Sequence, residues 1–173
     1  MRRFYFGGQF RFKYKDCTLE LLAQDYRSKI LGDKNSLWIN RPECGYIDIT
    51  DDVQYGGPFY FYDQIDSDTV VKVESSSIEA ATDCVFVLSN DDAPGTVTEI
   101  IQATMLGKKV HIFYEMKDIP KEEVSSRFNS NLWYAITFAS FSDNCVCILG
   151  YETYEDAVKN CVEYFNNNFI KKC

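Results

Sequence analysis

Histidine is almost missing from this sequence: His111 is the only one. A Ser-His-Asp nucleophile or a histidine-based zinc site therefore has little to work with. Basic residues are also short, 18 Lys and Arg against 26 Asp and Glu, for a formal net charge of −8. Affinity for a nucleic-acid polymer comes largely from Lys and Arg on phosphates, so such a polymer is a poor partner. Net charge says little about one local pocket, which leaves a small anion or a nucleoside open. No apolar run approaches the roughly 20 residues of a membrane span, so no membrane partner is expected. Met1-Arg2-Arg3-Phe4-Tyr5-Phe6 reaches Gly7 too soon for a signal-peptide core. Neither GxGxxG nor a Walker A loop occurs, which leaves dinucleotide or triphosphate binding through those loops unsupported. The seven cysteines are odd in number and mostly sit in apolar runs, the usage of reduced thiols in a cytoplasmic protein. Cys145-Val146-Cys147 alternates on a strand and reads as core rather than metal ligand.

What remains is an ordinary globular mix, 46% hydrophobic and 25% charged over 173 residues. No repeat, low-complexity tract or linker interrupts it, so residues 1–173 read as one domain. Arg3 to Phe6 is a short apolar strand that stops at Gly7-Gly8. Leu19, Leu22, Ala23, Tyr26 and Ile30 fall on one helical stripe that Gly32 closes. Residues 33 to 67 are rich in loop formers, with a short strand at Tyr46 to Ile49. Val70, Val73, Ile78 and Ala81 fit a second helix. Cys84-Val85-Phe86-Val87-Leu88 is a continuous apolar pentad, the pattern of a central parallel strand buried on both faces. A turn at Asp91 to Gly95 leads into a helix over Thr96 to Leu106, closed by Gly107. Val110 to Tyr114 and Cys145 to Leu149 are further strands. Ala157, Val158, Cys161, Val162 and Phe165 mark a terminal amphipathic helix. Strands alternating with helices imply an α/β fold, a flavodoxin-like or Rossmann-like three-layer sandwich around a parallel sheet. Ligands of such sheets bind outside the carboxyl ends of the strands, so the loops at Gly7 to Phe10, at Ser89 to Thr96 and after Tyr114 are the ones to inspect.

The richest of these is Ser89-Asn90-Asp91-Asp92-Ala93-Pro94-Gly95-Thr96-Val97-Thr98-Glu99. It follows the buried pentad and opens a helix. Two readings of it stand on the residues alone. Thr96-x-x-Glu99 is a capping box, with Thr96 as N-cap and Glu99 reaching back to it. Alternatively, Glu99 is a carboxylate held ionised by the helix dipole and suited to attack on an electrophilic sugar carbon. Arg27 is either a phosphate contact or a helix-end cation complementing the dipole.

Four segments in order resemble the nucleoside 2-deoxyribosyltransferase family and its N-glycosidase relatives. They are Tyr5-Phe6-Gly7-Gly8-Gln9-Phe10; Asp25-Tyr26-Arg27-Ser28-Lys29-Ile30-Leu31-Gly32; Gly57-Pro58-Phe59-Tyr60-Phe61 with Val70 to Glu74 and Ile78; and Ala81 to Leu88 leading into Pro94 to Ile100. The likeness spans about residues 3 to 106. It implies that Glu99 is the nucleophile, forming a glycosyl-enzyme ester at the anomeric carbon. Glu74, four residues before Ile78, then protonates the departing base or orients the site. One ionised nucleophile beside one proton donor is also what base departure demands. Here the Ile78-to-Asp83 spacing is one residue longer than the family's, and Asp92 stands one residue early for the acidic group that orients the sugar.

Substrate contacts are expected from Tyr5, Gly7, Phe10, Gly57, Pro58 and Phe59, of whose aromatics the resemblance supports Tyr5 and Phe59, and from the backbone N–H groups around Gly95 and Thr96 at the start of the helix. Asn131, in Asn129-Ser130-Asn131-Leu132-Trp133-Tyr134, corresponds by position to a polar segment often donated by a neighbouring subunit. Read without the family, that stretch is a polar loop with a buried Trp. The expected enzyme is a homo-oligomeric transferase, with no cofactor or metal, that moves a (deoxy)ribosyl group from a nucleoside or nucleotide to a free base. The alternatives are a nucleoside 5′-monophosphate N-glycohydrolase and a non-catalytic nucleotide-binding or sensing module in which Glu99 is only a cap.

Overall fold

A computed structural model describes residues 1–9, 12–15, 18–21, 25–32, 38–39, 46–61, 66–90, 94–116 and 132–170. The strands are β1 (Arg2–Gly7), β2 (Phe12–Lys15), β3 (Thr18–Leu21), β4 (Trp38–Ile39), β5 (Ile47–Thr50), β6 (Val53–Tyr55), β7 (Tyr60–Phe61), β8 (Asp83–Leu88), β9 (Lys109–Glu115) and β10 (Cys145–Tyr151). The helices are α1 (Tyr26–Leu31), α2 (Ser67–Ala80), α3 (Pro94–Met105), α4 (Trp133–Ser140) and α5 (Tyr154–Phe165), the last running into a π-helical turn at Asn166–Ile170.

The main sheet has six strands in the order β10-β9-β8-β1-β6-β5. All neighbours are parallel except β5, which runs antiparallel to β6 at one edge. Numbered among themselves along the chain, the parallel strands lie 2-1-3-4-5, the flavodoxin-like order whose switch point falls between β1 and β8. Every residue of β8 is buried, as its apolar run requires of a strand covered on both faces.

Alternation sorts the core into two layers. Phe4, Phe6, Val85, Val87 and Phe113 point to the side packed by α1 and α5, with Tyr26, Ile30, Val158 and Phe165. Tyr5, Cys84, Phe86, Leu88 and Ile112 point to the opposite side, packed by α2, α3 and α4 through Ile78, Ile100, Ala103, Ala135 and Ala139. The result is a three-layer α/β sandwich. No helix among the described residues is long and apolar enough to cross a membrane.

Several expected elements are corrected. The stripe from Leu19 to Ile30 is not one helix: Thr18–Leu21 pairs antiparallel with Phe12–Lys15, and α1 begins only at Tyr26. Asp25 caps α1, its side chain accepting from the Arg27 amide. α3 starts at Pro94, two residues before the expected Thr96, with proline in the first helical position where its missing N–H costs nothing. Trp133 and Tyr134 belong to α4 rather than to a polar loop, and Trp133 is exposed rather than buried.

Candidate functional site at the carboxyl ends of β1 and β8

The switch point between β1 and β8 splays the loops that leave the two strands, and the candidate groups gather there. β1 delivers Tyr5 to the α2–α3 side of the sheet and ends at Gly7. α2 runs back against the strands, so Glu74, one turn before the buried Ile78, lies toward their carboxyl ends. α3 leaves the carboxyl end of β8, which brings Glu99 back over the end of β1. The Glu99 carboxylate lies so close to the Gly7 backbone that a methyl group there would stand 2.8 Å from Oε2 and collide with the Phe86 ring.

Tyr5 links the two acids. Its ring is fully buried, and its hydroxyl finds no hydrogen-bond partner of acceptable geometry. Burial pushes the phenol well above its usual range, and the nearby Glu99 and then Glu74 carboxylates push it further. The group is therefore a neutral O–H donor with two carboxylates in electrostatic reach. Glu74, half-buried, is raised by desolvation, with the Arg27 charge pulling the other way. A carboxyl raised in this way keeps its proton closer to neutral pH, as a general acid must.

The capping-box reading does not survive the helix boundary. With α3 starting at Pro94, Thr96 is a buried residue inside the first turn and Glu99 lies beyond it. Glu99 is thus not in the N3 position of a Thr96 cap, and the dipole acts on it more weakly than at the first turn.

Arg27 is neither a helix-end cation nor a phosphate contact. It is the second residue of α1 and completely buried. Nε donates to the Phe6 carbonyl at 2.9 Å, one Nη to the Gly8 carbonyl at 2.7 Å, and the other to the Asp25 carboxylate at 3.2 Å. Tyr26 adds a bond from its hydroxyl to the Gly7 carbonyl at 2.6 Å. α1 therefore buttresses three consecutive carbonyls at the end of β1 and fixes the loop on which Glu99 rests.

The other expected contacts divide. Gly57 sits at φ +126° beside α2, where a methyl would stand 3.2 Å from Ser77 Oγ and 3.6 Å from the Tyr5 ring, so it borders the same corner. Pro58 follows through a cis peptide and its carbonyl accepts from Tyr55. Phe59 packs edge-on against Tyr55 at 5.4 Å in the core on the α1–α5 side, away from Tyr5 and its acids. Gly95 is exposed with open space around it. Phe10, Asp92 and Asn131 lie outside the described residues.

Polar groups not singled out in the sequence tie the loops together. Ser89 Oγ meets Gln9 Oε1 at 3.4 Å, joining the ends of β8 and β1. The Asn90 amide donates to Glu115 at 3.2 Å, joining the ends of β8 and β9. Their signal was position alone: Gln9, Ser89 and Glu115 all stand at or just past the carboxyl end of a strand.

Comparison of the chain with protein-family models, with curated proteins and with solved structures finds no match.

Proposed function

We propose that the protein cleaves the N-glycosidic bond of a nucleoside by double displacement and passes the sugar to a second base. The observation that carries this reading is the seating of the Glu99 carboxylate against the Gly7 backbone at the sheet's switch point, beside the buried Tyr5 on which the charges of both Glu99 and Glu74 act. Glu99 attacks the anomeric carbon as the C–N bond breaks, forming a glycosyl ester on its carboxylate. Glu74 gives its proton to the leaving nitrogen, so the base departs neutral. An incoming base attacks the anomeric carbon from the vacated face, breaks its bond to the Glu99 oxygen so that the carboxylate is released, and returns a proton to Glu74. The Tyr5 hydroxyl, unpaired in the resting structure, donates to the carboxylate that carries or receives the sugar once substrate is bound. The resemblance to nucleoside 2-deoxyribosyltransferases supports the same assignment, and a homo-oligomer that completes the pocket is part of the proposal.

Arg27 favours an unphosphorylated substrate over a 5′-monophosphate, because its guanidinium is taken up by Asp25 and by the Phe6 and Gly8 carbonyls. The test incubates the protein with deoxynucleosides plus a different free base, and separately with nucleoside monophosphates. A new nucleoside supports transfer. Free base with sugar phosphate shows a monophosphate hydrolase instead, and intact ligand recovered bound shows a sensing module.

A further inference from the structure

At the opposite end of the sheet, the first residues of three neighbouring strands form a second polar cluster. Arg2 opens β1, Asp83 opens β8 and Lys109 opens β9. Asp83 is buried, and burial alone would raise its carboxyl. Bonds from His111, Arg2 and Thr82 outweigh that and hold it below the usual carboxylate range. Arg2 Nε donates to Oδ2 at 3.1 Å and an Nη to Oδ1, while the Thr82 hydroxyl donates to Oδ2 at 2.7 Å. The only histidine, also buried, sets Nε2 3.1 Å from Oδ1. A carboxylate only accepts, so Nε2 carries a hydrogen, and Nδ1 meets the Tyr164 hydroxyl at 3.2 Å, with Cys147 Sγ at 4.0 Å. Asp83 thus has its acceptor capacity consumed.

Beside this cluster lies an open cavity of about 380 Å³, bounded among others by Arg2, Lys109, His111, Tyr164, Asn167 and Asn168. Lys109 is exposed and makes no ion pair among the described residues. Arg2 is held over the Phe169 ring at 4.4 Å, which fixes its guanidinium as one wall. Asn167, Asn168 and Phe169 of the lining belong to the π-helical turn, a local irregularity that recurs at binding sites. An adjoining cavity of about 430 Å³ shares Arg2 but carries Asp51 and Asp52, so an anion is excluded from it and confined to the Lys109 side.

The geometry points to a site here for a phosphate group, free or borne on a small molecule. Lys109 supplies the uncompensated charge, and the Arg2 guanidinium with the Asn167 and Asn168 amides supplies polar contacts. The volume sits at the small end of ligand pockets, which suits a phosphomonoester of a few carbons. The site lies at the far end of the strands from Glu99 and is independent of the proposed transfer.

The single histidine makes the test direct, because the imidazole signals of His111 in an NMR spectrum have one possible origin. Glycerol phosphate, inorganic phosphate and uncharged glycerol are titrated separately into the intact protein. Saturable movement of those signals with the phosphates, and none with glycerol, is the expected result. Tighter saturation by glycerol phosphate assigns the site to an ester, and equal saturation assigns it to free phosphate. Lys109→Gln, at an exposed position that keeps the fold, is expected to weaken binding at least about tenfold, whereas Lys72→Gln on the other side of the sheet leaves it unchanged. Signals that do not move, that drift linearly with concentration, or that move equally in Lys109→Gln overturn the proposal.

Discussion

The carboxylate of Glu99 rests on the backbone of Gly7, with Oε2 2.8 Å from where a methyl group on Gly7 would stand. A residue on α3 and the last residue of β1, far apart in the chain, are thereby packed without room for one carbon. Gly7→Ala is expected to displace both Glu99 and the buried Phe86 ring, at about 1–3 kcal/mol of stability. It is also expected to lower kcat/KM more than that loss explains, because a misplaced nucleophile costs rate directly. Chemical denaturation and steady-state kinetics on the same preparation separate the two effects.

Tyr5→Phe separates folding from function in the opposite direction. A buried hydroxyl without a partner costs about 1–3 kcal/mol, so its removal is expected to leave stability unchanged or raised. If the phenol holds the Glu99 carboxylate only during the reaction, activity falls while the melting temperature does not. Equal activity in the variant would show that Tyr5 only fills space.

Glu74 carries a pH signature with a defined sign. Its folded pKa is raised by burial, so over the window from its ordinary value of 4.5 upward the folded state binds more protons than the unfolded chain. Stability on that account falls as pH rises through the window and is unaffected below it. Glu74→Gln is therefore expected to melt higher than the parent at neutral pH, with the gap closing in acid. The same change is expected to lower kcat by about 10²–10⁴ if Glu74 is the proton donor. Differential melting across pH, alongside base-release rates, checks both halves.

Much of this architecture was legible along the chain. β8 stood out because a strand covered on both faces has to be apolar throughout, and the carboxyl-end rule then directed attention to Glu99. The failure at Leu19 has a physical origin. Thr18-Leu19-Glu20-Leu21 also fits a period of two, and its pairing with Phe12–Lys15 is settled by a partner strand with no Asn-Gly or Asp-Gly signal between the runs. α4 was missed because Trp133-Tyr134-Ala135-Ile136 is apolar on all sides and shows no helical stripe. α3 starts at Pro94, a standard opening residue, whereas the Thr96-x-x-Glu99 spacing mimics a capping box two residues further in. Burial of Arg27 could not be read locally, since it depends on carbonyls at Phe6 and Gly8, some twenty residues back, with only Asp25 nearby.

The amino-end cluster makes its own prediction. Asp83, lowered in the folded state by the bonds from His111, Arg2 and Thr82 that outweigh its burial, stabilises the fold above its unfolded value of 3.8. That contribution is lost as pH falls through the folded pKa. Asp83→Asn is expected to cost about 1–3 kcal/mol at neutral pH, because it removes the carboxylate from the partly exposed Arg2 and weakens the buried bond with His111. The deficit is expected to shrink in strong acid, where the parent carboxylate is itself protonated. Urea unfolding at neutral and acidic pH measures it.

The nucleophilic role of Glu99 is tested most directly by base exchange. Purified parent and Glu99→Gln proteins are each incubated with a deoxynucleoside and a different free base, and the nucleosides are separated by chromatography. The expected result is a new nucleoside with the parent protein and a loss of about 10³-fold or more with Glu99→Gln, at unchanged melting temperature. Full activity in Glu99→Gln, or no cleavage of any nucleoside by the parent, would contradict the assignment.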